Sequence, residues 1–538
     1  MSTATQEKPP IPVEQRRSRP IRWGVWRGPT PRAAAQTPLA PPPRQPWTRR
    51  DTWVFLLGGL LAAVSRFISV GAISSKGTPI FDEKHYVPQA FDMVASSINP
   101  ITGGIEFNPG FGLVVHPPLA KQIIALSESV FGYTPLGWRF MSALFGTACV
   151  LLIMAMARRL SRSTFGAFAA GILAITDGVL LIASRVGMLD IFQVFFLIAA
   201  AYFFILDQDS VYKRLYQAQQ NGLDPSLWGP RMGFRWWRFA TGIMLGLALS
   251  VKWSGLYYMA AFGILTVIMD ARLRKRIGAV QPVRGMLVLD AAVAFMSLVI
   301  VPVALYIWSW RAWFSSETAV YRHSKSMGEI QSWFRVLPEP LAGWLYYHQR
   351  VLNFHSSLTN SAGHHHTWES KPWAWLFSAR GLLYYSNNDA TGCGDEQCKS
   401  IILLLGLPAL WWLTAFIVLW ALWSIVVRRA SNYIVPTVAW MAGFVPWLIA
   451  FDRQMYFFYA TAFVPFTIVM AACILTELSR TGRIRQGRIF AGEPTGMALA
   501  CGYLALIGVL FVYFLPIYYG ISIPAWLYQS MMWLPSWH

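Results

Sequence analysis

Two carboxylates stand side by side in Phe81-Asp82-Glu83-Lys84-His85-Tyr86, in a chain that has only 25 Asp and Glu among its 538 residues. A carboxylate so placed can take a proton from a hydroxyl, hold a cation or steer a substrate. A solvated turn is the plainer reading. Downstream, Val115-His116-Pro117-Pro118-Leu119-Ala120-Lys121 joins a histidine and a lysine through a double proline, which pre-sets the backbone. Further cations occur singly: Arg139 after Trp138, Arg185 in Ser184-Arg185-Val186-Gly187-Met188-Leu189-Asp190, and Lys252 in Ser250-Val251-Lys252-Trp253. Each can snorkel to lipid headgroups. Arg139, at the mouth of its helix, can equally hold a phosphate with its planar fork. Asp190 would be costly in lipid unless paired or hydrated, and Arg185 is its expected partner. His364, His365 and His366 invite a metal reading, but consecutive residues of an extended chain point to alternate faces. Contact with an acceptor or exposure to solvent is the expectation there. His348 and His355 are spaced to share one helix face. Cys393 and Cys398, in Thr391-Gly392-Cys393-Gly394-Asp395-Glu396-Gln397-Cys398, would pair in an oxidising compartment and otherwise remain free thiols. No metal-ligand partners stand near them.

These residues must be positioned by the apolar blocks between them. The chain is 55% hydrophobic and 13% charged, against about a quarter charged in a soluble protein. The spacing predicts an all-α integral membrane protein of about eleven transmembrane helices. The spans expected are 53–74, 138–157, 164–183, 187–206, 239–252, 255–270, 286–308, 401–427, 434–451, 455–477 and 497–519. Residues 1–50 form a basic, Pro-rich tail with no signal-peptide core, expected to be disordered and cytoplasmic. Residues 51–538 then form one membrane domain. The net charge of +20 is dispersed among loops, so the positive-inside rule explains it better than nucleic-acid binding, which is excluded as a partner class. With the N-terminus cytoplasmic, Asp82, Glu83, Arg139, Arg185, Asp190 and Lys252 all fall on the outer face. Two outer loops are long, 74–137 and 309–400. The second is rich in Trp and Tyr, which suits segments lying along the membrane interface rather than a projecting domain.

Several of these segments, in this order, resemble the protein O-mannosyltransferases: FDEKHY, VHPPLAK, WRFMSALFG, SRVGMLD and LSVKWSGLY. In the second loop, YYHQRVLNFHSSLTNSAGHHHTWESKPWAW is similar to the family's segment ending in Ser370, Pro372 and Trp373. The resemblance runs from about Asp51 to the C-terminus. The chain lacks the large soluble insert of eukaryotic members and so resembles the bacterial branch.

The resemblance implies a GT-C glycosyltransferase fold with its active site at the outer membrane face. It implies transfer of mannose from a polyprenyl-phosphate donor to Ser or Thr of exported proteins, with inversion. Asp82 would be the base and Glu83 would orient the acceptor or bind a cation. Arg139 would meet the donor phosphate, with Lys121, Arg185 and Lys252 as further candidates by position. His116, His364, His366 and Trp373 would lie toward the acceptor. A divalent cation, magnesium or manganese, is the one cofactor to be considered, on Asp82 and Glu83 if anywhere. The implied partners are the lipid-linked donor, translocating proteins and the secretion machinery that delivers them. A GT-C enzyme acting on a lipid or glycan acceptor, a secondary transporter, and a scaffold without catalysis are the alternatives. A transporter would place its ionisable groups at the membrane midplane between paired, interrupted helices, and here they gather at one face.

Overall fold

The computed structural model describes residues 39–42, 46–73, 77–97, 99, 103–107, 115–223, 227–394, 396–486 and 490–538. Most of the expected N-terminal tail lies outside them. Among the described residues, eight helices are long and apolar enough to cross a membrane. Helix α1 (Arg49–Phe67) starts at a capping box in which Thr48 and Asp51 satisfy each other's backbone N–H. Two short helices of the first loop follow, α2 (Glu83–Ala95) and α3 (Leu119–Phe131). Helix α4 (Pro135–Ser161) begins at Thr134, whose hydroxyl accepts from Gly137 N–H, and ends in Arg158 and Arg159, cations suited to the negative end of the helix dipole.

Then come α5 (Thr164–Thr176), α6 (Gly178–Ala183), α7 (Asp190–Gln220), α8 (Trp236–Leu249), α9 (Gly255–Arg276) and α10 (Ala291–Ser309). The second loop contributes α11 (Glu339–Ser357). Then follow α12 (Pro408–Val426), α13 (Ser431–Ile449), α14 (Val464–Ser479) and α15 (Thr495–Tyr519), with a short helix, Ala525–Met531, near the C-terminus. Helix α4 packs against α1, α3, α5, α7 and α14 and forms the axis of the bundle. In α7, 78% of the apolar window is buried within the protein, against 17% in α1. Leu56, Leu57, Leu60, Leu61 and Val64 of α1 are exposed, an apolar surface that only lipid would cover without cost.

The structure departs from the expected spans in definite ways. The expected spans 164–183, 239–252 and 455–477 contain the short helices α5 with α6, α8 and α14, none long enough to count among the eight. Phe457–Ala462, placed in a span, is a 3-10 turn ahead of α14. Helix α7 runs well past 206, to Gln220. The chain is also not all-α. Strands β1 (Leu382–Ala390), β2 (Cys398–Leu404) and β3 (Ile523–Pro524) form an antiparallel sheet in the order β1-β2-β3. The start of the span expected at 401–427 is therefore strand. Ile401-Ile402-Leu403-Leu404 is a short apolar run, and periodicity alone does not separate a buried strand from a buried helix. Cys393 and Cys398 are joined in a disulfide where β1 turns into β2.

The second loop packs onto the bundle: Trp310, Trp313, Tyr347 and Trp375 are buried, while Trp333 and Trp373 are exposed. His348 and His355 do share a face of α11, and both rings lie against Trp253 at the start of α9, at 5.7 and 6.3 Å.

Candidate active site

Asp82 and Glu83 open α2, and their environments are opposite. Glu83 is fully buried. Arg139 of α4 donates from Nε and Nη2 to its two oxygens, each at 2.7 Å. Gly187 N–H adds a bond of 2.7 Å and Ile80 N–H one of 2.9 Å. A carboxylate holding four donors is fully compensated for burial. The site also explains Gly187: a Cβ there would stand 3.1 Å from Trp138 O and 3.4 Å from Glu83 Oε1. Two expectations are corrected. Glu83 is not available to orient an acceptor or bind a cation. Arg139, buried and bound to Glu83 and to Val70 O at 3.3 Å, does not face a donor phosphate.

Asp82, one residue earlier, is half-buried, and its carboxylate accepts no hydrogen bond from any described residue. Burial raises its pKa above the usual value; His85 and Lys252 oppose the rise and Asp190 adds to it. The preceding Phe81 has φ 47°, a left-handed conformation costly for a bulky side chain. Its ring stacks on Tyr384 of β1 at 4.3 Å and meets Phe458 edge-on at 6.3 Å. Glu83 on one side and these rings on the other hold the turn that presents Asp82.

Lys252, in the turn between α8 and α9, donates to Asp190 Oδ1 at 2.8 Å and lies 5.3 Å from the Phe458 ring. Gln193 ties the same turn down through Lys252 O at 3.0 Å and Ser254 Oγ at 3.1 Å. Lys252, not Arg185, is therefore the partner of Asp190. Arg185 instead donates to the carbonyls of Ser65, Arg66 and Ile68 at the end of α1 and stacks on Tyr519 at 4.2 Å, capping that helix. Lys121 is also committed: it is buried and ion-paired with Glu106. Of the four cations assigned to a phosphate, only Lys252 borders Asp82 in a partly open position.

His116 sits beside Tyr86 and His355, with ring centroids 5.9 and 5.7 Å away. Burial lowers its pKa well below the usual value, and Lys252, His355, Lys121 and Arg453 reinforce this, so the ring is neutral near pH 7. Its nitrogens have no hydrogen-bond partner among the described residues. Sequence reasoning passed over Arg453, in Phe451-Asp452-Arg453-Gln454. Its guanidinium donates to His355 O and lies 3.1 Å from His355 Nδ1. The available signal was an Asp-Arg pair between two apolar blocks. His364, His365 and His366 are exposed, and Trp373 is exposed away from these contacts. Among the described residues, no three His, Cys, Asp or Glu are grouped to hold a metal.

Residues 108–315 match the family described as dolichyl-phosphate-mannose-protein mannosyltransferase. Residues 340–537 match the C-terminal four-transmembrane region of protein-O-mannosyltransferase. The chain is 56% identical to a polyprenol-phosphate-mannose–protein mannosyltransferase of Corynebacterium glutamicum, covering 92% of this chain and 95% of that one. The chain belongs to the protein O-mannosyltransferase family. A family member from Mycobacterium tuberculosis, with the same description, is 39% identical over 91% of this chain and 93% of its own length. The fold is that of the family's solved members. The Saccharomyces cerevisiae protein O-mannosyltransferase Pmt1-Pmt2 complex, bound to the sugar donor, superposes with a TM-score of 0.67 at 16% identity, covering 91% of this chain and 93% of that one. The protein O-mannosyltransferase framework thus accounts for the bundle and for the loop helices that gather Asp82, Lys252 and His116.

Proposed function

We propose that this chain transfers mannose from a polyprenyl-phosphate donor to Ser or Thr hydroxyls of exported proteins, with Asp82 as general base. The observation that carries the assignment is the contrast between two adjacent carboxylates. Glu83 is saturated by Arg139 and backbone N–H groups, whereas Asp82 is partly open, without a hydrogen-bond donor among the described residues, and made more basic by burial. A hydroxyl becomes an effective nucleophile only as its proton leaves. Asp82 takes that proton while the oxygen attacks the anomeric carbon, and the polyprenyl phosphate departs from the opposite side, inverting the configuration. Charge growing on the leaving phosphate is met by Lys252, with Arg453 adding positive charge beside His355 and His116. Neutral His116 offers a hydrogen bond to donor or acceptor. The site opens to the outer face of the plasma membrane, where secretion machinery delivers unfolded acceptors, and the N-terminus is cytoplasmic.

The donor set does not suit a resident divalent cation. Glu83 is spent on Arg139, and Asp190 gives Oδ1 to Lys252 and keeps Oδ2 without a partner among the described residues. Asp82 and one oxygen of an Asp190 already paired with a cation are therefore the carboxylate donors left, whereas magnesium or manganese needs several oxygen ligands. No step is therefore routed through a metal.

Mannose transfer from polyprenyl-phosphate mannose to a Ser/Thr-rich peptide, in membranes holding wild type or Asp82→Asn, tests this reading. The expected loss is about 10²–10⁴-fold, the usual worth of a general base, with expression unchanged and with no effect of a chelator on the wild type. Transfer to a lipid or glycan acceptor but not to peptide would reject the acceptor assignment.

A further inference from the structure

A second polar cavity lies at the other end of the bundle. Helix α4 carries Arg139 beside Asp82 at its start and Ser161 at its end, a rise of roughly 33 Å at 1.5 Å per residue. At that far end Ser161, Arg162, Arg429, Asn432, Glu477 and Arg480 line a cavity of about 340 Å³, a volume in the range of ligand sites. It is built where the α4–α5 and α12–α13 connections meet the last turn of α14.

Its charge balance is unusual. Glu477 is the one carboxylate in the lining, and both its oxygens are taken, by Arg428 Nη1 at 2.6 Å and by Tyr433 OH at 2.9 Å. Arg429 makes no hydrogen bond or ion pair with a described residue. Among the described residues the side chain of Arg480 makes one bond, a long one of 3.4 Å from Nη2 to Ser161 O. Arg162 and Arg429 both hold left-handed backbone, at φ 53° and 57°, which costs energy in non-glycine residues. The Ser161 hydroxyl is buried and has no hydrogen-bond partner among the described residues, which also carries a cost. Three arginines, a spare hydroxyl and a neutralised carboxylate suit an oxyanion with several acceptor oxygens.

The height of the cavity identifies the source of that anion. Trp420, Trp423 and Val426 of α12, with Val427 just after it, are exposed on the adjoining surface. The Arg428 guanidinium stands 5.8 Å from both indole rings. Exposed tryptophans next to arginine mark the membrane–water interface, the level at which phospholipid phosphates lie. We propose that this cavity binds the phosphate of an anionic phospholipid headgroup, on the membrane face opposite Asp82.

The test uses the full chain in nanodiscs of phosphatidylcholine alone or mixed with phosphatidylglycerol. Native mass spectrometry counts phosphatidylglycerol retained by the wild type and by Arg429→Gln/Arg480→Gln. Mannose transfer by the variant, expected unchanged, shows that it is folded; if the double variant loses transfer, the two single variants replace it. The expected result is phosphatidylglycerol retained by the wild type and about tenfold weaker retention in the variant, since bidentate arginine–phosphate contacts are lost. Equal retention by both proteins, or by neither, would overturn the proposal. Inorganic phosphate is added to the phosphatidylcholine discs as a separate arm. If it raises the unfolding temperature of the wild type but not of the variant, while phosphatidylglycerol is not retained, the ligand is a soluble phosphate and the lipid assignment fails.

Discussion

Asp82 and Glu83 are adjacent acids with different tasks, and the difference is one of hydrogen-bond accounting. Four donors stabilise the Glu83 charge, and none reaches Asp82 from the described residues. Because burial raises the Asp82 pKa, its carboxylate is a stronger base than an exposed aspartate and is lost to protonation at a higher pH. The acid limb of kcat/KM should therefore lie above the ordinary aspartate value of about 3.9. A pH–rate profile whose acid limb sits at or below that value would show that the ionising group is not this buried carboxylate. Lys252 bears on the donor: Lys252→Ala should raise the apparent KM for polyprenyl-phosphate mannose about tenfold while changing that for peptide less. Initial rates with each substrate varied in turn separate the two constants.

At the scale of elements, the Glu83–Arg139 pair bolts the start of α2 to α4 and, through Gly187, to the α6–α7 turn. The pair stabilises by position, and its removal would act through Asp82 rather than on the donor directly. Arg139→Ala strands a buried carboxylate, which typically costs about 3–5 kcal/mol. Thermal unfolding in detergent should show this as a large fall in midpoint, larger than for Lys252→Ala, whose pair is partly open. Equal midpoints for Arg139→Ala and the wild type would remove the structural role. The sheet works in a similar way across a longer stretch of chain. It pairs the second loop with the C-terminal segment at Cys398↔Pro524 and Lys399↔Ile523, and Tyr384 on β1 supports Phe81. The His348 contacts lock α11 to the bundle: His348 Nε2 lies 2.6 Å from Tyr306 OH, which accepts from Trp253 Nε1 at 2.9 Å. Burial pushes the His348 pKa down to about 4, so this contact persists in its neutral form through the physiological range.

At the scale of the whole molecule, the proposed orientation places the second loop outside and the α9–α10 connection inside. In intact cells, a membrane-impermeant maleimide should label Met327→Cys but not Lys275→Cys, both at exposed positions. Cys149 and Cys473 are buried and Cys501 is half-buried, so labelling of the wild type is subtracted as background. The reverse labelling pattern would invert the topology and with it the compartment of the acceptor.

Sequence alone determined the membrane class, because apolar blocks of about 20 residues have few other uses. It also placed Asp82, Glu83, Arg139, Arg185, Asp190 and Lys252 at one end of the bundle, since each stands at a boundary between an apolar block and a loop, and the structure brings them together there. What it did not decide was which of them pair. Partners 56 to 117 residues apart, such as Glu83 with Arg139 or Arg185 with the end of α1, have no signature in local spacing. For the same reason the resemblance put Arg139 first for the phosphate, with Lys121, Arg185 and Lys252 behind it on position alone, and only burial and existing contacts set Lys252 apart from the other three. The strand at Ile401–Leu404 was missed because its hydrogen-bond partners, β1 and the distant β3, lie outside any local window. Chemistry-bearing residue types are local properties of the chain; which of them remain free to react is decided by the charges and donors that folding brings against them.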